Sequence, residues 1–315
     1  MKTALIGAGV AGAACVSVLR SRGADFCVFE KSRGPGGRLS TRRVSGVLPQ
    51  GDLHYDHGAP AFTWSPELSA QLAAELKHET VRQLNPDAWV ASPSMPQLVK
   101  DLLGGCPLSA QVEIDTLEGS TGQWYLKEKS KSDGNPPVLH GPFSAVVLTA
   151  PAPQTRALLR NVECSWKQKL DAVSYHPCWA VMASFAGAPA EIRETSNIFS
   201  SLVSQNSKPG RTLPEHVQCW VGHAHPEWSR AHLEAEAAVI QEKLLAELVR
   251  VLGLTSVQPL HAAVHRWRYS TVANPLHCTA LADPVQRLFF AGDACLGTGV
   301  AGAVESGLEV GRMLI

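Results

Sequence analysis

No apolar run in this 315-residue chain approaches the length of a membrane-spanning helix, so nothing in it reads as a bilayer segment. Net charge is missing as well. Lysine plus arginine number 28 and aspartate plus glutamate 28, which leaves no basic excess for DNA, RNA or an acidic membrane surface. Cys15, Cys27, Cys106, Cys164, Cys178, Cys219, Cys278 and Cys295 include no Cys-x-x-Cys. Most lie in apolar runs, the pattern of buried thiols in a reduced, cytoplasmic protein. Twelve histidines include His223-x-His225 but no His-Glu-x-x-His, and no thiolate cluster accompanies them. They read as strand-end or loop residues and give no metal site. No internal repeat is present.

What is present is ordinary for a globular chain with a substantial core: 45% apolar and 18% charged residues, with a length that suggests two domains. The start, Met1-Lys2-Thr3-Ala4-Leu5-Ile6, has the look of a signal peptide, but its removal would delete a first strand. It reads as retained structure.

The first thirty residues organise the rest. Residues 3–6 form an apolar run, followed by Gly7-Ala8-Gly9-Val10-Ala11-Gly12, a small apolar helical pattern to about Arg22, and a second apolar run ending in Glu30. Strand, glycine-rich turn, helix, strand and acid make a βαβ unit with a dinucleotide fingerprint in its proper context. Gly7 permits the tight turn, Gly9 admits a pyrophosphate to the backbone, and Gly12 lets helix and strand pack closely. The helix start near Val10 and Ala11 offers free N–H groups to that pyrophosphate, and Glu30 stands where an acid accepts from a ribose hydroxyl.

Beyond it, Lys31-Ser32-Arg33-Gly34-Pro35-Gly36-Gly37-Arg38 is a second glycine-rich loop, which a nicotinamide dehydrogenase does not need. Asp56-His57-Gly58-Ala59-Pro60-Ala61 follows, with little side chain at Gly58 and Ala59. His57 is either a turn histidine in water or a residue aimed at a ligand. Periodicity predicts helices over residues 66–78 and from Ser94, and paired strands over 111–117 and 123–129. It also predicts a polar loop over 129–137 and a buried parallel strand over 143–149 that leads to Ala150-Pro151. The texture then changes. Strands over 179–185, 198–203, 216–223 and 260–267, a loop over 204–214 and a long helix over 231–252 predict a mixed sheet with a covering helix. The chain closes with a buried strand, Leu288-Phe289-Phe290, then Ala291-Gly292-Asp293 and a helix from Val300. Asp293 is either a helix cap or a ligand for a cofactor.

Glu30 through Arg38 and Phe290-Ala291-Gly292-Asp293 together resemble flavoproteins of the amine oxidase superfamily. With Asp56 to Ala59, Leu148-Thr149-Ala150-Pro151 and Arg266-Trp267-Arg268-Tyr269 added, the chain resembles the renalase family, to which the Trp267 segment and the compact length point more narrowly. The resemblance implies an α/β (α+β) chain: a Rossmann-like FAD-binding domain plus a mixed-sheet substrate domain, arranged as in p-hydroxybenzoate hydroxylase and the amine oxidases. On this reading residues 1–75, 95–165 and 266–315 form the FAD domain, and 76–94 and 166–265 the substrate domain. FAD is noncovalent, since Cys295 follows Gly292-Asp293 outside the usual attachment context. Its ligands are Gly7, Gly9, Ala11, Gly12, Glu30, Lys31, Gly37, Arg38, His57, Gly58, Ala59, Ala150, Gly292, Asp293 and Val300.

The implied activity is oxidation of the 2- and 6-dihydro isomers of NAD(P), with hydride passing to flavin N5 and O2 reduced to H2O2, as metabolite repair by a monomer or homodimer. His57, Ala59, Pro60, Ala61, Trp220, Trp267 and Tyr269 are the candidate substrate contacts, though core packing explains the aromatics as well. Arg266 and Arg268 meet substrate phosphate or form surface pairs. A flavin amine oxidase is the alternative, and a flavin-binding module without turnover is the alternative of another class.

Overall fold

The computed structural model describes residues 1–49, 51–77, 79–130, 136–188, 190–254 and 257–315. The chain opens with β1 (Lys2–Ile6), whose apolar run alternates between two cores, Ala4 and Ile6 on one side and Leu5 on the other. Helix α1 (Val10–Ser21) buries Ala11, Gly12, Ala13 and Ala14. It ends at Gly23 (φ +64°), where Ala24 N donates to Leu19 O and Gly23 N to Arg20 O in a Schellman motif. Strand β2 (Asp25–Glu30) pairs parallel with β1 and completes the βαβ unit. A ribbon of β3 (Arg42–Val44) and β4 (Leu53–Tyr55), helix α2 (Pro66–Gln71), a ribbon of β5 (Val81–Asn85) and β6 (Ala88–Ala91), and α3 (Pro96–Leu103) follow.

Strand β7 (Leu108–Ala110) joins β2; β8 (Ile114–Ser120), β9 (Gln123–Glu128) and β10 (Leu139–Phe143) form an antiparallel sheet; β11 (Ala145–Leu148) returns parallel to β1. After α4 (Ala152–Leu158) come β12 (Ser174–Ala186), β13 (Phe199–Ser204), β14 (Val217–Ala224), α5 (Pro226–Ala231), α6 (Ala237–Leu252) and β15 (His261–Asn274). The chain closes with β16 (Leu281–Asp283), β17 (Leu288–Phe290), α7 (Asp293–Leu296) and α8 (Gly299–Met313). No helix among the described residues is long and apolar enough to cross a membrane.

The central sheet has the order β16-β17-β11-β1-β2-β7, parallel except for β16. Chain order runs outward from β1 through β2 to β7 on one side, then through β11 to β17 on the other. The switch point of the sheet therefore lies at the C-terminal end of β1, where the Gly7–Gly12 turn sits. Helices α1, α3 and α8 bury one face; Trp124, Trp166 and Phe290 fill the core on the other. The second large sheet, β13-β14-β12-β15, is antiparallel. One face of it is closed by α6 through Ile240, Leu244 and Leu248, the other by Leu53 and Tyr55 of β4. The molecule is thus a mixed α/β protein with a Rossmann-like part and an antiparallel sheet beside it.

Several elements differ from the periodicity reading, each for a tertiary reason. The helix expected over 66–78 stops at Gln71, and residue 78 lies outside the described residues. Turns follow, with Leu76 N donating to Leu72 O (3.0 Å), and Asp101 on α3 then takes the Lys77 N–H (3.3 Å) and the Thr80 hydroxyl, which draws the chain off toward α3. The helix expected over 231–252 is broken between α5 and α6. The carbonyls of His232 and Leu233 accept instead from Trp179 Nε1 (3.1 Å) and Arg266 (2.6 Å) on the sheet. The strand expected over 143–149 is divided: Leu139–Phe143 pairs with β9, and Ala145–Leu148 enters the parallel sheet. Strand β8 begins at Ile114 because Gln111 turns at φ +60°. Strand β15 runs on to Asn274 without interruption at residue 265, paired along β12 past the bulge at His176/Cys178 beside Pro177. Of the loop expected over 129–137, residues 131–135 lie outside the described residues.

Candidate functional site

The candidate site has two ends, joined where Gly58 and Ala59 meet the Arg38 carbonyl. At the first, Gly7 (φ +106°) turns the chain out of β1. A Cβ at Gly12 would stand 2.2 Å from Gly7 O, so the helix can approach the turn only without one. The first turn of α1, including Ala11, has neither an acidic residue nor a side-chain cap, which leaves its N–H groups for an anion. Buried Glu30 accepts from Ala8 N and Ser32 N, both at 2.8 Å, and so ties the two glycine-rich loops together. Gly36 N donates to Ala8 O (2.9 Å), and Gly37 (φ +57°) packs against Gly9. Lys31 is exposed and, among the described residues, reaches Gln154 (3.4 Å).

Arg38 makes a two-pronged ion pair with Asp293 (2.6 and 2.7 Å) and donates to Ser270 O (3.0 Å). Burial works against its charge, but Asp293 outweighs it and holds the guanidinium above its ordinary pKa. Ala150 lies at the end of β11, where its carbonyl accepts from Thr155 (2.9 Å), and Thr149 Oγ1 donates to the Gly7 carbonyl (3.0 Å). Gly292 N donates to Ser306 Oγ (3.1 Å). Val300 stands in the first turn of α8, which also lacks an acid and a side-chain cap. Gly307 of α8 lies on Ala11, and Gly311 on Cys15 and Val18, so the two helices run in the same direction. At ~1.5 Å per residue the start of α8 projects about 10 Å beyond that of α1.

This geometry suits a dinucleotide. A Cβ added at Gly9, Gly292 or Gly299 meets nothing within 4 Å, so open space fronts all three. Two uncapped helix starts, spaced along that space, complement a diphosphate at α1 and an electron-rich ring edge at α8. Glu30 and Asp293 each keep lone pairs for sugar hydroxyls between them.

At the other end, the buried His57 ring stacks on Trp267 (5.5 Å between centroids) and meets His265 edge-on (5.0 Å); His265 and Trp267 are 4.4 Å apart. Trp267 Nε1 donates to His57 O (2.8 Å), and His223 Nε2 lies 2.8 Å from Gly58 O and 3.2 Å from His57 O. Two carbonyl acceptors require the proton of neutral His223 on Nε2, which leaves Nδ1 to accept from Ser201 (3.3 Å). Burial, then His265 and Arg42, pushes His57 down to about 4. Burial with Arg42 does the same to His265, and burial takes His223 to about 4. The wall is therefore uncharged at neutral pH. Among the described residues no group of three or more His, Cys, Asp or Glu could hold a metal ion.

The remaining sequence candidates are distributed unevenly. Gly58 is required by packing: its Cβ would lie 1.9 Å from Arg38 O, so that approach, not one to a ring, explains the glycine. Ala59 N donates to Arg38 O (2.9 Å). Ala59 and Ala61 rest on the core under α1, and Pro60 between them is half-buried. Tyr269 is packed edge-on against Tyr175 (5.4 Å), whose hydroxyl accepts from Ala152 N. Trp220 is not with them. It points to the opposite face of its sheet, into the core under α6, with its Nε1 on Gln218 (2.8 Å). Arg266 and Arg268 form surface pairs with Glu234, and Arg266 also covers Trp179 (5.5 Å).

Three features escape the motif reading. His265 was obscured inside a strand, although His261, His265 and Trp267 share the face that alternation assigns them. Asp56 is buried with Lys208 (2.9 Å) and Arg211 (2.6 Å) from the loop over 204–214, and takes the Thr41 hydroxyl (2.6 Å). Burial opposes its charge, but the two cations hold it below the usual carboxylate range. The third feature, Arg42, stands beside the histidines; its only sequence signal is the inward register of β3.

A family model described as flavin containing amine oxidoreductase matches residues 112–314, and one described as an NAD(P)-binding Rossmann-like domain matches residues 5–76. Among solved structures the chain is similar to cyclohexylamine oxidase from Brevibacterium oxydans IH-35A, with a TM-score of 0.67 and 12% identity over 99% of this chain and 98% of that one. It is also similar to a wild-type putrescine oxidase bound to putrescine, with a TM-score of 0.65 and 15% identity over 100% of this chain and 99% of the other. At such identities the likeness is one of fold.

Proposed function

The chain belongs to the flavin-containing amine oxidoreductase family, with FAD as its cofactor, and we propose that within this family it oxidises the 2- and 6-dihydro isomers of NAD(P) to NAD(P)+. Bound FAD supplies a hydride acceptor at N5 and, once reduced, the two electrons that take O2 to H2O2. Glu30, the Gly7–Gly12 turn and the Arg38–Asp293 pair hold it, with Gly292 and the α8 start at the ring end. Attachment is noncovalent, in keeping with Cys295 buried in the core behind Asp293.

The observation that carries this reading is the charge of the histidine wall. His57, His265 and His261 feel Arg42 as their nearby charge, and no carboxylate raises any of them. Asp56, the one acid next to His57, is already matched by Lys208 and Arg211. Such a site repels an alkylammonium ion and suits a neutral ring on an anionic nucleotide. A dihydropyridine that loses hydride becomes aromatic without releasing a proton. The neutral imidazoles therefore have no proton to take; they and Trp267 pack the ring and exclude water. The division of labour follows: the Rossmann-like part holds FAD, and the antiparallel sheet supplies the substrate wall.

A second reading, amine oxidation, draws on the family itself and on the Tyr175–Tyr269 pair, since amine oxidases typically present two aromatic rings to the flavin. Anaerobic mixing of the yellow protein with 2- and 6-dihydroNAD(P) separates the two. Rapid bleaching of the flavin, with ordinary 4-dihydroNADH and amines inert, is the expected result. Bleaching by amines alone would replace this proposal with the second reading, and bleaching by none would remove both.

A further inference from the structure

Among the described residues the cation beside the histidine wall has no hydrogen-bond or ion-pair partner. Arg42 stands opposite Tyr55 in the β3–β4 ribbon, so its side chain leaves on the same side as the fully buried Tyr55 ring, toward the antiparallel sheet. Arg43, on the outer side, is the one that pairs with Asp52. The Tyr55 ring lies 5.8 Å from His261, and His265 and Trp267 continue the same face of β15. Among the described residues Arg42 makes no hydrogen bond or ion pair, and it is half-exposed. Its neighbours along the chain are satisfied: Arg38 by Asp293 and Arg43 by Asp52. His261 Nε2 is buried nearby with no hydrogen-bond partner either. The field of Arg42 reaches His57, His261 and His265, all of which it disfavours as cations.

We infer that Arg42 receives an anionic group of the substrate, a phosphate oxygen of the nucleotide chain, while the reacting ring lies on the His57–Trp267 wall. This deepens the proposed function and rests on it for the identity of the substrate; the anion site itself stands on the geometry alone. A guanidinium offers a planar fork of donors that matches phosphate, and three neutral imidazoles do not compete for the anion. Among the described residues this cation has no partner, and its register sends it toward the sheet face that carries His261, His265 and Trp267, so one extended molecule can reach from the ring wall to it. Recognition of this kind selects dinucleotides over free dihydronicotinamide through affinity, not through chemistry at the ring.

The test uses the FAD-loaded protein and its Arg42→Ala and Arg42→Lys variants. Calorimetric titration with inorganic pyrophosphate reads the anion site directly. Charge-assisted hydrogen bonds of this kind predict binding weakened about 10- to 100-fold in Arg42→Ala, with Arg42→Lys between. In turnover, the ratio of KM for 6-dihydroNAD to KM for N-methyl-1,6-dihydronicotinamide, which carries no phosphate, rises by a similar factor in Arg42→Ala. Equal pyrophosphate affinity in all three proteins overturns the inference. So does loss of FAD from Arg42→Ala, which would assign the residue to the cofactor. If neither dihydronicotinamide bleaches the wild-type flavin, the proposed function fails, and the pyrophosphate titration still decides the anion site.

Discussion

The two ends of the candidate site are built on opposite principles. The nucleotide end is made of backbone: a glycine turn, two uncapped helix starts, and one matched charge pair, Arg38–Asp293. The ring end is made of side chains drawn from the segment just after β4, from β14 and from β15, together with the ribbon strand that carries Arg42. Its imidazoles are uncharged, among the described residues its cation is unmatched, and Asp56 is consumed below the surface by Lys208 and Arg211. A site made of backbone tolerates change in most side chains but not in its glycines. A site made of side chains depends on what holds each one in place.

That contrast is tested hardest at Asp56. Lys208 and Arg211 have side chains exposed by 0% and 1%, so Asp56→Ala leaves two cations buried with no carboxylate. The expected loss is about 3–5 kcal/mol of stability, since a buried charge without its partner cannot be rehydrated. Chemical denaturation of the FAD-loaded protein measures it. A loss below about 1 kcal/mol would mean that the ring end is not held by this triad. Arg38 sits nearer the surface, its side chain 30% exposed, so Asp293→Ala should cost less stability while costing FAD affinity.

Acid should also act on the ring end first. His223 titrates near 4 in the folded chain, against about 6.5 when unfolded, because burial disfavours its charge. Between those values the unfolded chain binds the extra proton, so stability is full above about pH 6.5 and falls as the pH drops toward 4. The loss is up to about 3 kcal/mol for this histidine. His57 and His265 shift in the same direction and add to the slope. A His265→Gln variant should flatten the decline in melting temperature over that window. An unchanged slope would place the acid sensitivity elsewhere.

Gly12→Ala probes the backbone end. The new methyl would stand 2.2 Å from Gly7 O, a backbone atom that cannot rotate away. Overpacking of this kind costs about 1–3 kcal/mol, and it opens the turn that fronts the diphosphate. The protein should purify colourless. A yellow, fully loaded Gly12→Ala protein would show that the turn does not depend on that contact.

The same division explains what could be read from the sequence. Gly7, Gly9, Gly12, Glu30, Arg38 and Asp293 stand in local strings whose spacing is the geometry, so strand, turn, helix and acid were legible together. His57 was legible only as a candidate, because its meaning depends on Trp267, 210 positions away. Trp220 looked equal to Trp267, yet the alternation of β14 sends it under α6 while His223 and His265 face the wall. The Asp56 triad joins positions about 150 apart and has no local pattern at all. The broken helix at residues 232–236 failed for the same reason, since its carbonyls serve side chains of β12 and β15. Motif reading recovers what the backbone does locally, and long-range side-chain assembly lies outside it.

The smallest change should be the most specific. Trp267→Phe keeps a ring against His57 but removes the Nε1 donor that holds the His57 carbonyl at 2.8 Å. His223 Nε2 still faces that carbonyl at 3.2 Å, so the group is not stranded, and the cost should be about 1 kcal/mol or less. FAD content should be unchanged, because the hydrogen bond and ring contacts of Trp267 go to His57 and His265. On the proposed function the rate of flavin reduction should fall about 10-fold, since a small displacement of the wall would move the substrate ring away from the geometry that hydride transfer needs. A double variant, Trp267→Phe with His223→Gln, should lose more than the two singles combined if both donors hold one carbonyl. Additive losses would mean that each residue acts through its own packing, and the ring end would then be as modular as the backbone end.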